Sequence, residues 1–386
     1  DFDILKMAAI YGANGAGKSN LIKSLNLLQH LVLKKESSLT TRESKFKLNS
    51  QHDEKSQVLA IEFIQNETAF YYAIELYKNM ILTEELYLSG LGKETDKLLF
   101  ERKTDAVSQK TTIIFLEEFE KNEKSQLLKE ILIEEFVKPS ELILKILSKR
   151  ENEYLSKIKL AYKWFSNTLQ IITPESNPVA LAHRIDKDKT FKKYAENLMC
   201  TFNIGISSLF TEKKEIRSFL GDDDTDKANL LIKELEASPN TMLSLRSERG
   251  DEIIIVKEEE QVWAKRLKIG HIGKKNQSVL FDLEDESDGT IRLLNFVPAF
   301  QKLITSQKVF VIDEMERSIH PLLIKELVRK FSLEEETKGQ LIFTTHESNL
   351  LDQKIFRKDE IWFAEKDENG ATTTAQATKV VNIIHP

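Results

Sequence analysis

Apolar positions along this chain follow several rhythms, and each marks a different stretch. Ile4 to Ile10 form a short apolar run, Gly-rich sequence follows, and Leu21-Ile22-Lys23-Ser24-Leu25-Asn26-Leu27-Leu28 repeats apolar residues at helical spacing. That succession predicts strand, loop and helix. From Gln57 to Leu88 the rhythm shortens to Val58-Leu59-Ala60-Ile61-Glu62-Phe63 and Ala69-Phe70-Tyr71-Tyr72-Ala73-Ile74-Glu75-Leu76, with Asn66-Glu67 as a turn between them. An antiparallel meander is expected there. Between about Thr112 and Ile216 helical periodicity returns, as in Leu127-Leu128-Lys129-Glu130-Ile131-Leu132, interrupted at Pro139, Pro174 and Pro178. No heptad persists for the three or four repeats a long coiled coil requires, so this stretch predicts a compact helical insertion or short arm. Gly221 to Asp226 reads as a solvated acidic tip between helices, since the spaced ligands and bidentate Glu of a calcium loop are missing.

Beyond residue 250 the pattern becomes strand, strand, helix, strand, helix, strand. The segments are Glu252–Val256, Val279–Leu283, Ile291–Leu303, Val309–Ile312, Leu322–Phe331 and Gln340–Thr345. The last two strands are almost wholly apolar, as expected of a parallel sheet covered on both faces. The fold class predicted is α/β, a parallel sheet plus an antiparallel β subdomain with a helical insertion. Residues 1–111 and 251–386 would form one split unit, and 112–250 the mainly helical insertion.

With 386 residues, 41% hydrophobic and 31% charged, the chain can bury one large core with a substantial subdomain. No run approaches the roughly 20 apolar residues of a membrane span and no signal peptide opens the sequence, so a cytoplasmic location is expected. One cysteine, Cys200, excludes an internal disulfide and is expected to be a small buried apolar residue. A net charge of −6 argues against wholesale coating of nucleic acid.

Candidate chemistry is concentrated in four segments. Gly12-Ala13-Asn14-Gly15-Ala16-Gly17-Lys18-Ser19 matches G-x-x-x-x-G-K-[ST] at every fixed position, between a strand and a helix. The glycines let the backbone curl so that N–H groups and the helix N-terminus face phosphate. Lys18 would reach the terminal phosphates and Ser19 would offer its hydroxyl to Mg²⁺. Gly12, Asn14, Gly15, Gly17, Lys18, Ser19 and Asn20 are the residues expected to bind nucleotide. In the second segment, Val309–Ile312 runs out to Asp313, placed to hold Mg²⁺ through water, and Glu314, placed to polarise an attacking water. The third, Thr344-Thr345-His346, ends the following strand; a histidine there is by itself usually a satisfied polar residue. The fourth, Glu286-Ser287-Asp288-Gly289-Thr290, precedes the helix at Ile291. Its hydroxyl, small residue and helix N-terminus make a second phosphate-binding surface, although S-x-G-T alone is more often a plain loop.

In this order the four segments resemble the motifs of ABC-type ATPase heads. The resemblance implies ATP and Mg²⁺ as ligands, with Lys18, Glu314 and His346 as catalytic residues and His346 as the switch histidine that contacts the γ-phosphate. Ser287, Asp288, Gly289 and Thr290 would form a degenerate signature loop. In ABC heads that loop lies across a dimer from the phosphate loop, so two chains would share each site. Met315 to Pro321 holds the D-loop position along that seam, and His320-Pro321 fits equally well the start of the next helix. Gln51 and Gln57 are both candidates for the glutamine loop. ABC heads usually carry a strand or two ahead of the phosphate loop, so a sequence opening at Asp1 is expected to lack an N-terminal segment.

About 270 residues separate the phosphate loop from the signature segment, an arrangement similar to the SMC/RecF/OLD-like branch. Within it, Ala9 to Asn20, Glu286 to Leu294 and Asp313 to Pro321 resemble compact ATPases of prokaryotic defence systems, such as RloA, the AbiL ATPase and AriA of PARIS. OLD-type relatives continue into a TOPRIM nuclease, whereas this sequence ends at Pro386, so a nuclease domain is not expected in this chain. The resemblance thus implies an ATP-hydrolysing sensor of an abortive-infection system. Its expected partners are a second copy of itself, or more, a separate nuclease or toxin, of TOPRIM type or otherwise, and a DNA or phage-protein trigger. A competing expectation is a DNA-repair or chromosome-maintenance ATPase contacting DNA through Lys187, Lys189, Lys192 and Lys193, residues that a solvated helix face also explains. A nucleotide-locked scaffold is opposed by intact Lys18, Asp313, Glu314 and His346.

Overall fold

The computed structural model describes residues 4–33, 55–221, 224–238, 241–246, 251–274 and 277–378. Strand β1 (Met7–Tyr11) leads through the Gly-rich turn into α1 (Lys18–Leu33). Five strands follow: β2 (Gln57–Gln65), β3 (Thr68–Tyr77), β4 (Met80–Leu88), β5 (Lys97–Thr104) and β6 (Thr111–Phe115). Helices α2 (Glu117–Glu120), α3 (Glu123–Ile131), α4 (Ile143–Ser148) and α5 (Ser156–Lys163) then lead to β7 (Leu169–Ile172). Next come α6 (Leu181–Lys187), α7 (Lys189–Thr201), β8 (Ile206–Glu215), α8 (Ile216–Leu220), α9 (Thr225–Ala237) and β9 (Met242–Arg246). Strands β10 (Glu252–Glu258), β11 (Gln261–Ile272) and β12 (Ser278–Asp282) precede α10 (Asp288–Thr305). The described chain closes with β13 (Val309–Ile312), α11 (Pro321–Leu333), β14 (Gln340–Thr345), β15 (Ile361–Lys366) and β16 (Thr372–Gln376).

Among the described residues these strands form three sheets. The central one has the order β16-β15-β1-β14-β13-β7, parallel except for β16. Because side chains alternate across a strand, Phe310 and Ile312 pack on one face with Met7, Ala9, Leu341 and Phe343, against α10 and α11. Val311 turns to the other face and joins the core beneath α1 and the meander. Burial on both faces is why these strands read as continuous apolar runs. The meander is the five-stranded sheet β2-β3-β4-β5-β6, and Phe63 stacks on Trp164 with ring centroids 4.3 Å apart, joining it to the helices behind. In the third sheet β11 pairs with β10 and β12 on one edge and β8 on the other, while β9 extends β10.

The stretch 112–250 is less helical than its periodicity suggests. It supplies β7 to the central sheet, beside β13, and β8 and β9 to the third sheet. Cys200 corrects a second expectation: it lies exposed on α7, its Sγ 3.4 Å from the Ile206 carbonyl oxygen, because the buried face of that helix is taken by Phe191, Ala195 and Met199. No helix among the described residues is long and apolar enough to cross a membrane.

Candidate nucleotide site

The phosphate loop is a turn between β1 and α1 whose shape depends on two glycines. Gly15 and Gly17 have φ of 81° and 93°, the left-handed region that side chains disfavour. Two further contacts forbid side chains: a Cβ on Gly12 would meet the Ala364 carbonyl oxygen at 2.6 Å, and one on Gly17 would meet Thr372 Oγ1 at 1.8 Å. The β15–β16 hairpin therefore lies against the loop, and Thr372 donates to the Ala16 carbonyl at 3.0 Å. Lys18 is buried at the first position of α1 and donates to the carbonyls of Gly12 (2.7 Å) and Ala13 (3.2 Å). Asn14 crests the loop exposed to solvent, and Asn20 is exposed on the first turn of α1.

Asp313 follows β13, and its buried carboxylate is gripped from two elements. Its Oδ1 accepts from Thr344 Oγ1 at 2.6 Å and from Ser19 Oγ at 3.2 Å, while its own N–H donates to the Ile172 carbonyl at the end of β7. Thr344, fully buried, also accepts from the Glu314 N–H at 2.9 Å. Glu314 has φ 46°, an uncommon conformation for a side-chain-bearing residue, which turns the chain out of the strand. Its carboxylate is half-exposed, with Arg317 at 3.6 Å, and Arg317 lies equally close to Glu175.

His346 ends β14 and meets not Glu314 but Glu316. The Glu316 Oε1 takes both the His346 N–H (2.8 Å) and the ring Nδ1 (2.6 Å), and Glu316 itself is 7% exposed. Tyr11 lies nearby with a buried hydroxyl; burial first, then the charges of Glu316 and Glu347, push its ionisation well above the ordinary value. A cavity of about 830 Å³ opens on this corner, lined by Tyr11, the phosphate loop from Gly12 to Ala16, His346, Leu351 and Phe363.

Ser287 is the N-cap of α10, its Oγ accepting from the Thr290 N–H at 3.1 Å and lying 2.9 Å from Thr290 Oγ1. A Cβ on Gly289 would meet the Ser318 carbonyl oxygen at 2.7 Å, so this position is closed to larger residues by the segment after Glu314. Asp288 is exposed in the first turn. Among the described residues no hydrogen bond or ion pair joins Ser287–Thr290 to Lys18, Ser19 or Asp313. Arg292, one turn on, is buried and reaches the carbonyls of Thr173, Pro174 and Ser176 at 3.3–3.5 Å. Burial, then the neighbouring Arg317 charge, lowers its pKa from the ordinary value.

His320 caps α11, its Nδ1 accepting from the Leu322 N–H at 3.3 Å ahead of Pro321 at the first turn, so this pair starts a helix. Gln57 begins β2 in the meander sheet, and Gln51 lies outside the described residues. The residue that meets Asp313 from β7 is Ile172, whose carbonyl accepts the Asp313 N–H at 2.9 Å. Thr344 lies inside the third segment, which assigns it no role, and Glu316 and Thr372 lie outside the four segments. Only Glu316, a third acid in Asp313-Glu314-Met315-Glu316, leaves a local trace. Of the lysines considered for DNA, Lys187 pairs with Glu258 at 2.9 Å, and Lys192 pairs with Glu196 at 3.8 Å and lies over the Phe210 ring.

Hydroxyl and carboxylate oxygens suit Mg²⁺, and Ser19 Oγ with Asp313 Oδ1 already converge. Among the described residues no group of three or more His, Cys, Asp and Glu could hold a metal ion, so phosphate oxygens and water would complete the shell, as Mg²⁺ commonly requires.

A buried parallel sheet presenting a phosphate loop, two acids and a histidine at the carboxyl ends of its inner strands is the arrangement of a P-loop ATPase. The chain belongs to the family described as "AAA domain, putative AbiEii toxin, Type IV TA system", whose model matches residues 7–152 and 205–352, more than half of the sequence. It is accordingly an ATPase of that AAA family, related to AbiEii-type proteins. No curated protein matches it. Among solved structures it is similar to an SMC head bound to the C-winged helix domain of ScpA, at 12% identity and TM-score 0.41, covering 99% of this chain and 94% of that one. It is also similar to the SMC head domain from Thermotoga maritima, at 12% identity and TM-score 0.38, covering 95% and 89%. A third is the Smc head with an extended coiled coil bound to the C-terminal domain of ScpA from Pyrococcus furiosus, at 13% identity and TM-score 0.38, covering 99% and 94%.

Proposed function

We propose that this chain is the cytoplasmic, ATP-hydrolysing sensor subunit of a prokaryotic anti-phage, abortive-infection system. Two copies clamp two ATP molecules, and closing or reopening of the pair controls a separate nuclease or toxin, a TOPRIM nuclease being one candidate. The observation that carries the reading is the convergence of Ser19, Asp313 and Thr344 beside a complete phosphate loop, with Glu314 next in sequence to Asp313. The family's description as a putative AbiEii toxin of a type IV toxin–antitoxin system supports the defence role.

In this reading the loop N–H groups and Lys18 hold the β- and γ-phosphates, and Ser19 and Asp313 hold Mg²⁺. Mg²⁺ supplies charge neutralisation on the phosphate oxygens. Glu314 orients and polarises the attacking water, and His346 contacts the γ-phosphate. Ser287, Asp288, Gly289 and Thr290 of the second copy close the site with a helix N-terminus. Nucleotide binding energy then biases an open–closed equilibrium, and a phage protein or DNA acts as the trigger.

Steady-state turnover and plaque formation test this together. Lys18→Ala should abolish ATP binding, and Glu314→Gln should bind ATP, accumulate as a dimer in light scattering and turn over at least about a hundredfold more slowly. Both variants should lose protection in cells, and the chain should copurify with the product of a neighbouring gene. Full protection by both variants would sink the proposal.

A further inference from the structure

The histidine at the end of β14 is held by a carboxylate that the four-segment pattern does not assign. Glu316 is 7% exposed, yet among the described residues no buried cation pairs with it: its Oε1 accepts the backbone N–H of His346 at 2.8 Å and faces the ring Nδ1 at 2.6 Å. One acceptor atom thus fixes both the backbone and the ring of the same residue. The second oxygen, Oε2, is buried without a hydrogen-bond partner among the described residues, as is the Tyr11 hydroxyl on β1, whose ionisation is opposed by burial first and then by the Glu316 charge. A buried carboxylate left half-satisfied is costly, and such a residue persists where its geometry has a use. His346 and Tyr11 both line the cavity on the phosphate loop, and Glu314, the acid next to Asp313, turns instead toward Arg317.

We infer that Glu316 is a positioning residue for His346: it engages Nδ1 and thereby leaves Nε2 as the ring nitrogen that meets the terminal phosphate. The inference rests on the proposed hydrolysis. A histidine whose other nitrogen is tied to a carboxylate has a defined tautomer and ring plane, as in many catalytic and metal-binding sites. Without Glu316 the half-exposed ring samples several rotamers, and a phosphate contact made in one of them is lost in the rest. Glu316 does not touch nucleotide in this scheme, so its removal lowers kcat and spares ATP affinity.

The experiment is a double-mutant cycle on the full chain, reading kcat for ATP and, separately, equilibrium binding of a fluorescent ATP analogue. Glu316→Ala should lower kcat by about tenfold or more with analogue affinity within about threefold, since misplacing a reacting group costs far more rate than binding. His346→Ala should do the same, and the double variant should be no slower than His346→Ala alone, because residues acting as a unit are non-additive. Glu316→Gln, which keeps an acceptor oxygen for both N–H groups, should recover most of the rate; Glu316→Asp, which withdraws it by one methylene, should not. The latter two decide the matter should Glu316→Ala fail to fold. Glu316→Asp turning over at the wild-type rate overturns the assignment, as does a Glu316 variant that slows the His346→Ala background by its full factor. A wild-type chain without turnover overturns the hydrolysis reading and this role with it, whereas turnover retained in Glu316→Ala overturns this role alone.

Discussion

Thr344 shows how much of this site depends on single atoms. Its Oγ1 donates to Asp313 at 2.6 Å and accepts from the Glu314 N–H at 2.9 Å, within a fully buried environment. Thr344→Val keeps the shape and removes the hydroxyl, leaving the Glu314 N–H without its acceptor and Asp313 Oδ1 with Ser19 Oγ alone. Each unsatisfied buried group costs about 1–3 kcal/mol, so the variant should unfold at measurably lower urea concentration. It should also need more Mg²⁺ for half-maximal ATP turnover, because Asp313 loses the bond that orients it. Unchanged urea and Mg²⁺ midpoints would show that the hydroxyl is dispensable. Nothing in the sequence around Thr344 announces this role. Lys18, Ser19, Asp313 and Glu314 are legible because each motif is contiguous, whereas Thr344 and Glu316 acquire their meaning only when β13 and β14 lie side by side.

At the scale of elements, periodicity located three strands of the central sheet, β1, β13 and β14, whose apolar residues are buried within it, and missed β7, β15 and β16. It failed for β8, whose Ile206–Glu215 run mixes Lys, Glu and Thr and becomes a strand only by pairing with β11, some fifty residues away. It also gave no hint that the β15–β16 hairpin braces the phosphate loop, a contact between opposite ends of the chain. That brace makes Gly17 doubly constrained, by φ 93° and by Thr372 Oγ1 at 1.8 Å from any Cβ. Gly17→Ala should therefore abolish nucleotide binding in calorimetry. Adding Thr372→Ser should not restore it, because the offending oxygen remains; Thr372→Gly relieves the contact but not the backbone strain, and should recover binding only in part. Full binding by Gly17→Ala alone would mean that the hairpin does not constrain the loop.

On the scale of the whole molecule, ionic contacts join the third sheet to the helices that lead into it. Lys265 of β11 is fully buried between Asp186 of α6 (2.6 Å) and Glu258 of β10, and Lys187 and Lys213 also pair with Glu258 at 2.9 and 2.6 Å. Burial alone would raise the pKa of Glu258, but hydrogen bonds from Lys213, Lys265 and Lys187 outweigh it and hold the value at about 2, against an ordinary 4.5. A carboxylate with a depressed folded-state pKa binds its proton more readily when unfolded, so its stabilising contribution is complete above about pH 4.5 and fades as the pH falls toward 2. Glu258→Gln removes that contribution and leaves Lys265 with less compensating charge in a dry site. The urea midpoint of the variant should lie well below wild type at pH 7, and the two should converge as the pH is lowered from 4.5 toward 2. A difference that stays constant over this range would mean that the Glu258 charge does not hold the sheet to α6, and that apolar packing alone sets their relative position.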